Sequence, residues 1–87
     1  MYSVRLLKPA SKELEKLDRT IAKHIIDRLE WLSLNVDSTK LIPLKGELSG
    51  LYKLSEGSYR IIFEILKSER IIIVHAIGHR REIYKRR

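Results

Sequence analysis

The chain has 87 residues, no cysteine, and 18 lysines and arginines against 11 acidic residues, for a formal charge of +7. That length allows one small domain, predicted over residues 1–87, and the lack of cysteine excludes both a disulfide framework and a thiolate metal site. A domain of this size buries only about 60–65% of the surface its unfolded chain exposes, so stabilisation by a partner in a reducing compartment, the cytoplasm, is expected.

Residues 1–9 lack the long apolar run of a signal peptide or membrane span, so neither export nor a membrane partner is predicted. Tyr2 to Leu7 predicts a first strand, ended by Pro9. Ser11 is placed to cap a short helix through Leu17, with Leu14 and Leu17 on one side, and Asp18 to cap the next. From Arg19 to about Asn35 the residues Ile21, Ile25, Leu29 and Leu32 recur at helical spacing, with Ala22 and Ile26 widening the stripe. Lys23, Asp27, Arg28 and Glu30 form its solvated face, while His24 and Trp31 are expected to pack at the edge of the core. Residues 36–48, interrupted by Pro43 and Gly46, read as a connection with a short extended piece.

Between Gly50 and Ile77 the chain predicts three strands, which completes an α+β fold of order β-α-α-β-β-β with an antiparallel sheet packed on two N-terminal helices. If Glu56-Gly57 is a two-residue hairpin loop, Lys53 lies opposite Arg60. If Lys67-Ser68-Glu69 is the next loop, Leu66 pairs with Arg70 and Arg60 lies opposite Ala76. Strand alternation then puts Tyr52, Leu54, Tyr59, Ile61, Phe63, Ile65, Ile71, Ile73, His75 and Ile77 on an apolar face suited to cover by the helices. Leu51, Lys53, Ser55, Arg60, Ile62, Glu64, Ile72, Val74 and Ala76 fall on the other. Exposed Ile62, Ile72 and Val74 imply that this second face meets a protein or RNA ligand.

Charge sharpens that expectation. Residues 1–44 carry a net +2 and residues 45–87 a net +5, a field that attracts polyanions. Lys53 and Arg60 interrupt apolar runs, and the chain continues into Gly78-His79-Arg80-Arg81-Glu82-Ile83-Tyr84-Lys85-Arg86-Arg87. Arg60 and Arg80 offer forked, permanent cations suited to a phosphate in its transition state. A second cation about 5 Å from Lys53, at an effective dielectric near 20, would oppose its charge by roughly 3 kcal/mol and favour the free amine, a base; otherwise Lys53 is a phosphate clamp. Tyr84 can stack on a base while the neighbouring cations track the backbone. His79 is a weaker candidate for proton transfer, and His75 is read as a core histidine. The histidines at 24, 75 and 79 lack a third partner at ligand spacing, so neither metal nor other cofactor is predicted.

The segments Leu44-Lys45-Gly46-Glu47-Leu48-Ser49-Gly50-Leu51-Tyr52-Lys53-Leu54, Gly57-Ser58-Tyr59-Arg60-Ile61-Ile62-Phe63 and Ile77-Gly78-His79-Arg80-Arg81-Glu82-Ile83-Tyr84 together resemble the RelE/ParE toxin superfamily, with a likeness that extends over essentially the whole chain. The resemblance implies a RelE-like, microbial-RNase-like fold and a type II toxin that cuts messenger RNA on the ribosome. It also implies a cognate antitoxin as partner, in a possible hetero-oligomer. By that likeness Lys53, Arg60 and Arg80 are catalytic, and Tyr84, Arg81 and Ser55 bind substrate. Ser55 stands where the RelE pattern has a second lysine, so weaker cleavage, or compensation by His79 or Arg81, is expected. No Glu near Ile42-Pro43-Leu44 supplies the carboxylate base of the YoeB branch. ParE-type members share the fold but inhibit DNA gyrase by binding it; retention of Lys53, Arg60, Arg80 and Tyr84 favours the nuclease.

Overall fold

The computed structural model describes residues 1–84, so Lys85, Arg86 and Arg87 of the basic tail lie outside the described residues. In chain order come β1 (Ser3–Leu6), α1 (Lys8–Lys16), α2 (Arg19–Asn35), β2 (Ile42–Pro43), β3 (Tyr52–Glu56), β4 (Tyr59–Leu66) and β5 (Ile71–His79). The strands join in one sheet of order β1-β5-β4-β3-β2. Class and element order agree with expectation, and β2 is the short extended piece. The sheet is mixed, however, because β1 runs parallel to β5. Tight turns force antiparallel neighbours, whereas the long connection through both helices leaves β1 free to pair in parallel.

α1 begins earlier than predicted. Pro9 sits in its first turn, where a missing N–H removes no helical bond, and Ser11 lies inside the helix with its N–H on the Leu7 carbonyl at 2.9 Å. β1 ends opposite Val74, whose carbonyl accepts from the Leu7 amide at 2.9 Å, so α1 flanks the remainder of β5. Ala10 is buried in the core, with Leu14 and Leu17 packed against it.

α2 has its predicted span, capped by Asp18, whose carboxylate accepts from the Thr20 N–H at 3.0 Å. Ile25, Leu29 and Leu32 are buried, while Ile26 is exposed, which makes the apolar stripe narrower than read. Lys23 and Asp27 pair at 3.1 Å on the solvated side. Arg28 departs from that side: its guanidinium covers the Trp31 ring at 4.4 Å and lies 3.8 Å from Glu56. Trp31 and His24 are exposed, not at the core edge, because both lie off the Ile25-Leu29-Leu32 stripe. No described helix is long and apolar enough to cross a membrane.

Both hairpins correct the predicted register. The first loop is Gly57-Ser58, with Glu56 opposite Tyr59, so Lys53 faces Ile62 and Arg60 faces Ser55. Gly57 has φ 60° and Ser58 is not in the positive-φ region, so this loop is of the kind that carries its glycine at the first position. In the second hairpin Leu66 pairs with Ile71 across a four-residue turn in which Arg70 takes φ 55°. A bulge follows: Ile62 opposes Ala76 but Phe63 opposes Val74, leaving His75 as the extra residue.

One inserted residue inverts the alternation on its far side. Ile72 and Val74, predicted on the second face, are therefore core residues at 0% exposure, while Ile71, Ile73 and His75 are only partly buried. Ile62 is on the second face as predicted but is not exposed; it is 4% accessible. Ile83, returning from the chain end, covers this region. Its Cδ1 lies so close to Gly78 that a Cβ there would meet it at 3.1 Å.

Candidate functional site

The register builds two rows on the sheet face turned away from the helical core. Ser55, Arg60 and Gly78 form one; Lys53, Ile62 and Ala76 form the next, roughly 7 Å along the strands. Lys53 is thus diagonal to Arg60 and not directly opposite it as predicted. It is a partly exposed residue of β3.

Arg60 is held by its own hairpin. Its Nη1 donates to the Gly57 carbonyl at 3.0 Å and to the Tyr59 carbonyl at 2.9 Å. Those two bonds use both Nη1 hydrogens and leave the Nε–Nη2 edge, which also matches a planar pair of anionic oxygens. Arg80 joins the same turn, since its amide donates to the Ser58 carbonyl at 2.8 Å while its side chain is exposed. The hairpin therefore anchors the Arg60 guanidinium and the Arg80 backbone, with exposed Ser55 across from Arg60 and Lys53 one row behind.

His79 is not brought into this group. It pairs with Tyr59, whose ring it meets edge-on at 5.4 Å between centroids, and Tyr59 packs against the helical core. The His79 Nδ1 accepts from the Arg81 amide at 3.1 Å, and its carbonyl accepts from the Glu82 and Ile83 amides at 2.8 and 3.0 Å. His79 closes the turn that leads to exposed Arg81, buried Ile83 and exposed Tyr84.

A groove of about 450 Å³ lies beside the Lys53 row. Its sheet side includes Ile62, Ala76 and His75, with Leu51 before β3 on one flank and Lys12, Glu13 and Lys16 of α1 on the other; Ile83 and Tyr84 also line it. Lys53, Arg60 and Arg80 do not line the groove, but Lys53 stands directly across from Ile62 and two residues after Leu51. Sequence reasoning passed over Lys12 and Lys16, although their four-residue spacing on the side of α1 away from Ala10 and Leu14 was a readable signal. It also missed His75 and its partner Glu64, because nothing in the local sequence marks the bulge.

Residues 4–84 match the family model described as the ParE toxin of the type II toxin-antitoxin system, parDE. The chain belongs to the RelE/ParE toxin superfamily. It is a toxin of the type II toxin-antitoxin class. Among relatives of this superfamily, Toxin RelG of Mycobacterium tuberculosis (strain ATCC 25618 / H37Rv) is 27% identical over 86 residues, spanning 98% of each chain. A chain in the crystal structure of the toxin-antitoxin complex RelBE2 from Mycobacterium tuberculosis superposes with a TM-score of 0.80 at 25% identity, covering 90% of this toxin and 96% of that chain. The archaeal RelE-RelB complex from Pyrococcus horikoshii OT3 shares the fold at a TM-score of 0.74 and 20% identity, covering 93% of this toxin and 97% of that chain.

Proposed function

We propose that this toxin is a ribosome-dependent messenger RNA endoribonuclease, held inactive by a cognate protein antitoxin in a hetero-oligomer. The observation that carries the reading is the hairpin-fixed guanidinium of Arg60, its Nε–Nη2 edge unused among the described residues, with the Arg80 amide bonded to the same turn and Lys53 one row away. Arginines aimed in advance at a phosphate stabilise the charge that develops there without reorganising during the reaction, and one such donor contributes on the order of 10² to 10³ in rate. Lys53 adds a third positive charge. Tyr84 supplies a ring for an unstacked base, with Arg81 following the backbone.

The reaction is attack of a 2′-hydroxyl on the adjacent phosphate, leaving a 2′,3′-cyclic phosphate and a 5′-hydroxyl. Its setting is the cytoplasm, where ribosomes and messenger RNA meet. The antitoxin assignment is supported by relatives seen in toxin-antitoxin complexes, such as RelBE2 and the archaeal RelE-RelB pair. Copurification of the product of an adjoining reading frame tests it.

Primer extension on ribosome-bound messenger RNA tests the nuclease. Wild type is expected to cut, and Arg80→Ala to cut at least about 10²-fold more slowly at an unchanged melting temperature. Absence of cuts by wild type, or equal cutting by Arg80→Ala, contradicts it. A second reading, inhibition of DNA gyrase, is favoured by the ParE description of the family model and by Ser55 in place of a second lysine. Inhibited supercoiling with uncut RNA would establish that reading instead.

A further inference from the structure

His75 and Glu64 form a polar pair on the same sheet face as Lys53 and Arg60, and none of the roles above uses them. His75 Nε2 lies 2.9 Å from Glu64 Oε1, with the side chains 33% and 36% exposed. Plain alternation along β5 would turn residue 75 toward the core. The bulge opposite Ile62 and Phe63 turns it outward instead, within reach of Glu64 on β4. Bulges interrupt a ladder, and one of their recurrent uses is to re-aim a side chain beside an active site.

The carboxylate selects a tautomer. A glutamate oxygen on Nε2 takes the N–H there, which leaves Nδ1 of the neutral ring with a lone pair. His75 lines the groove and Glu64 does not, so the pair reaches the groove through the imidazole. Lys12, Glu13 and Lys16 of α1 and the Tyr84 phenol share that groove with the imidazole. Ala76, next to His75, is two strand spacings from Lys53, about 10 Å across the sheet with Ile62 between. The 2′-hydroxyl is adjacent to the phosphate it attacks, so the long Lys53 side chain has to close that span for its ammonium to hold the phosphate whose 2′-hydroxyl meets the His75 ring.

We propose that His75, oriented by Glu64, is the general base of the cleavage; the assignment rests on the nuclease reading above. The 2′-O–H bond breaks and its proton passes to Nδ1, while the freed electron pair forms the bond from 2′-oxygen to phosphorus. The bond from phosphorus to the 5′-oxygen breaks with its pair on that oxygen, which takes a proton from water. The resulting hydroxide removes the proton from the imidazolium, so the ring is restored and no net proton is consumed. Glu64 acts through His75 and is a positioning residue.

Single-turnover cleavage of ribosome-bound messenger RNA by wild type, His75→Ala, His75→Gln and Glu64→Gln, each with its thermal melt, tests the assignment. Both His75 variants are expected to lose about 10² to 10⁴ in rate, the range for a positioned acid or base, and added imidazole is expected to restore part of the activity of His75→Ala. Glu64→Gln is expected to lower the single-turnover rate constant at saturation with the half-saturating concentration unchanged, as for an interaction needed only in the transition state. Cleavage by His75→Gln at the wild-type rate overturns the assignment while leaving the nuclease standing. Slow cleavage by both His75 variants that follows a lowered melting temperature and ignores imidazole also overturns it, by showing a structural pair. Uncut RNA with wild type overturns the nuclease reading and this assignment together.

Discussion

Arg60 owes its position to a planar fork that gives both Nη1 hydrogens to carbonyls of its own hairpin. A lysine at this place keeps the charge but has no fixed second edge to present while the first is held. Arg60→Lys is therefore expected to fold and to lower cleavage roughly 10²-fold, the scale of one lost preorganised donor, measured by primer extension beside a thermal melt. Wild-type cleavage by this variant would show that only charge matters at residue 60. The candidate cations were legible in the sequence, because Lys53 and Arg60 interrupt apolar runs and Arg80 follows one. Their relation was not. The predicted opposition of Lys53 and Arg60 depended on a loop that starts one residue earlier than the real one, and His79 faces Tyr59 instead of the other candidates.

At the scale of elements, the bulge in β5 decides which isoleucines stabilise the fold. Ile72 is fully buried, whereas Ile73 faces the other side and is partly accessible. Ile72→Ala is expected to cost about 2–5 kcal/mol, as for other large-to-small core changes, and Ile73→Ala less than half as much, by urea unfolding. The reverse ranking would restore the unbroken alternation predicted from the sequence and return His75 to the core. α2 was legible almost to the residue because a long helix repeats its apolar signal and Asp18 marks its start. Strand pairing was less legible for two physical reasons: Gly57 is compatible with a loop at either of two positions, and a bulge inverts a two-residue period without altering composition. The start of α1 was missed because Pro9 both stops strands and opens helices.

The whole molecule carries a net charge of +7; of its cations, Lys12 and Lys16 line the groove, Lys53 and Arg60 stand on the adjoining sheet face, and Arg80 follows β5. Single-stranded RNA bound there should be released by salt, with a slope of about 0.7 for each phosphate neutralised. The double variant Lys12→Ala with Lys16→Ala is expected to reduce that slope by roughly 1.4 for a single-stranded RNA oligonucleotide, read by fluorescence anisotropy across a salt series. An unchanged slope would take α1 out of the RNA path. The α+β class and superfamily were both legible, the class from the helical and strand periodicities and the superfamily from three motif segments between residues 44 and 84; the mixed sheet was not, because no local pattern gives the direction of β1.

The nuclease account is tested most directly by mapping the chemical ends of messenger RNA after the toxin acts on translating ribosomes. It predicts new 5′-hydroxyl ends within translated reading frames, present with wild type, strongly reduced with Arg80→Ala and absent when ribosomes are omitted. Intact messenger RNA under the same conditions, with gyrase supercoiling inhibited, would contradict it.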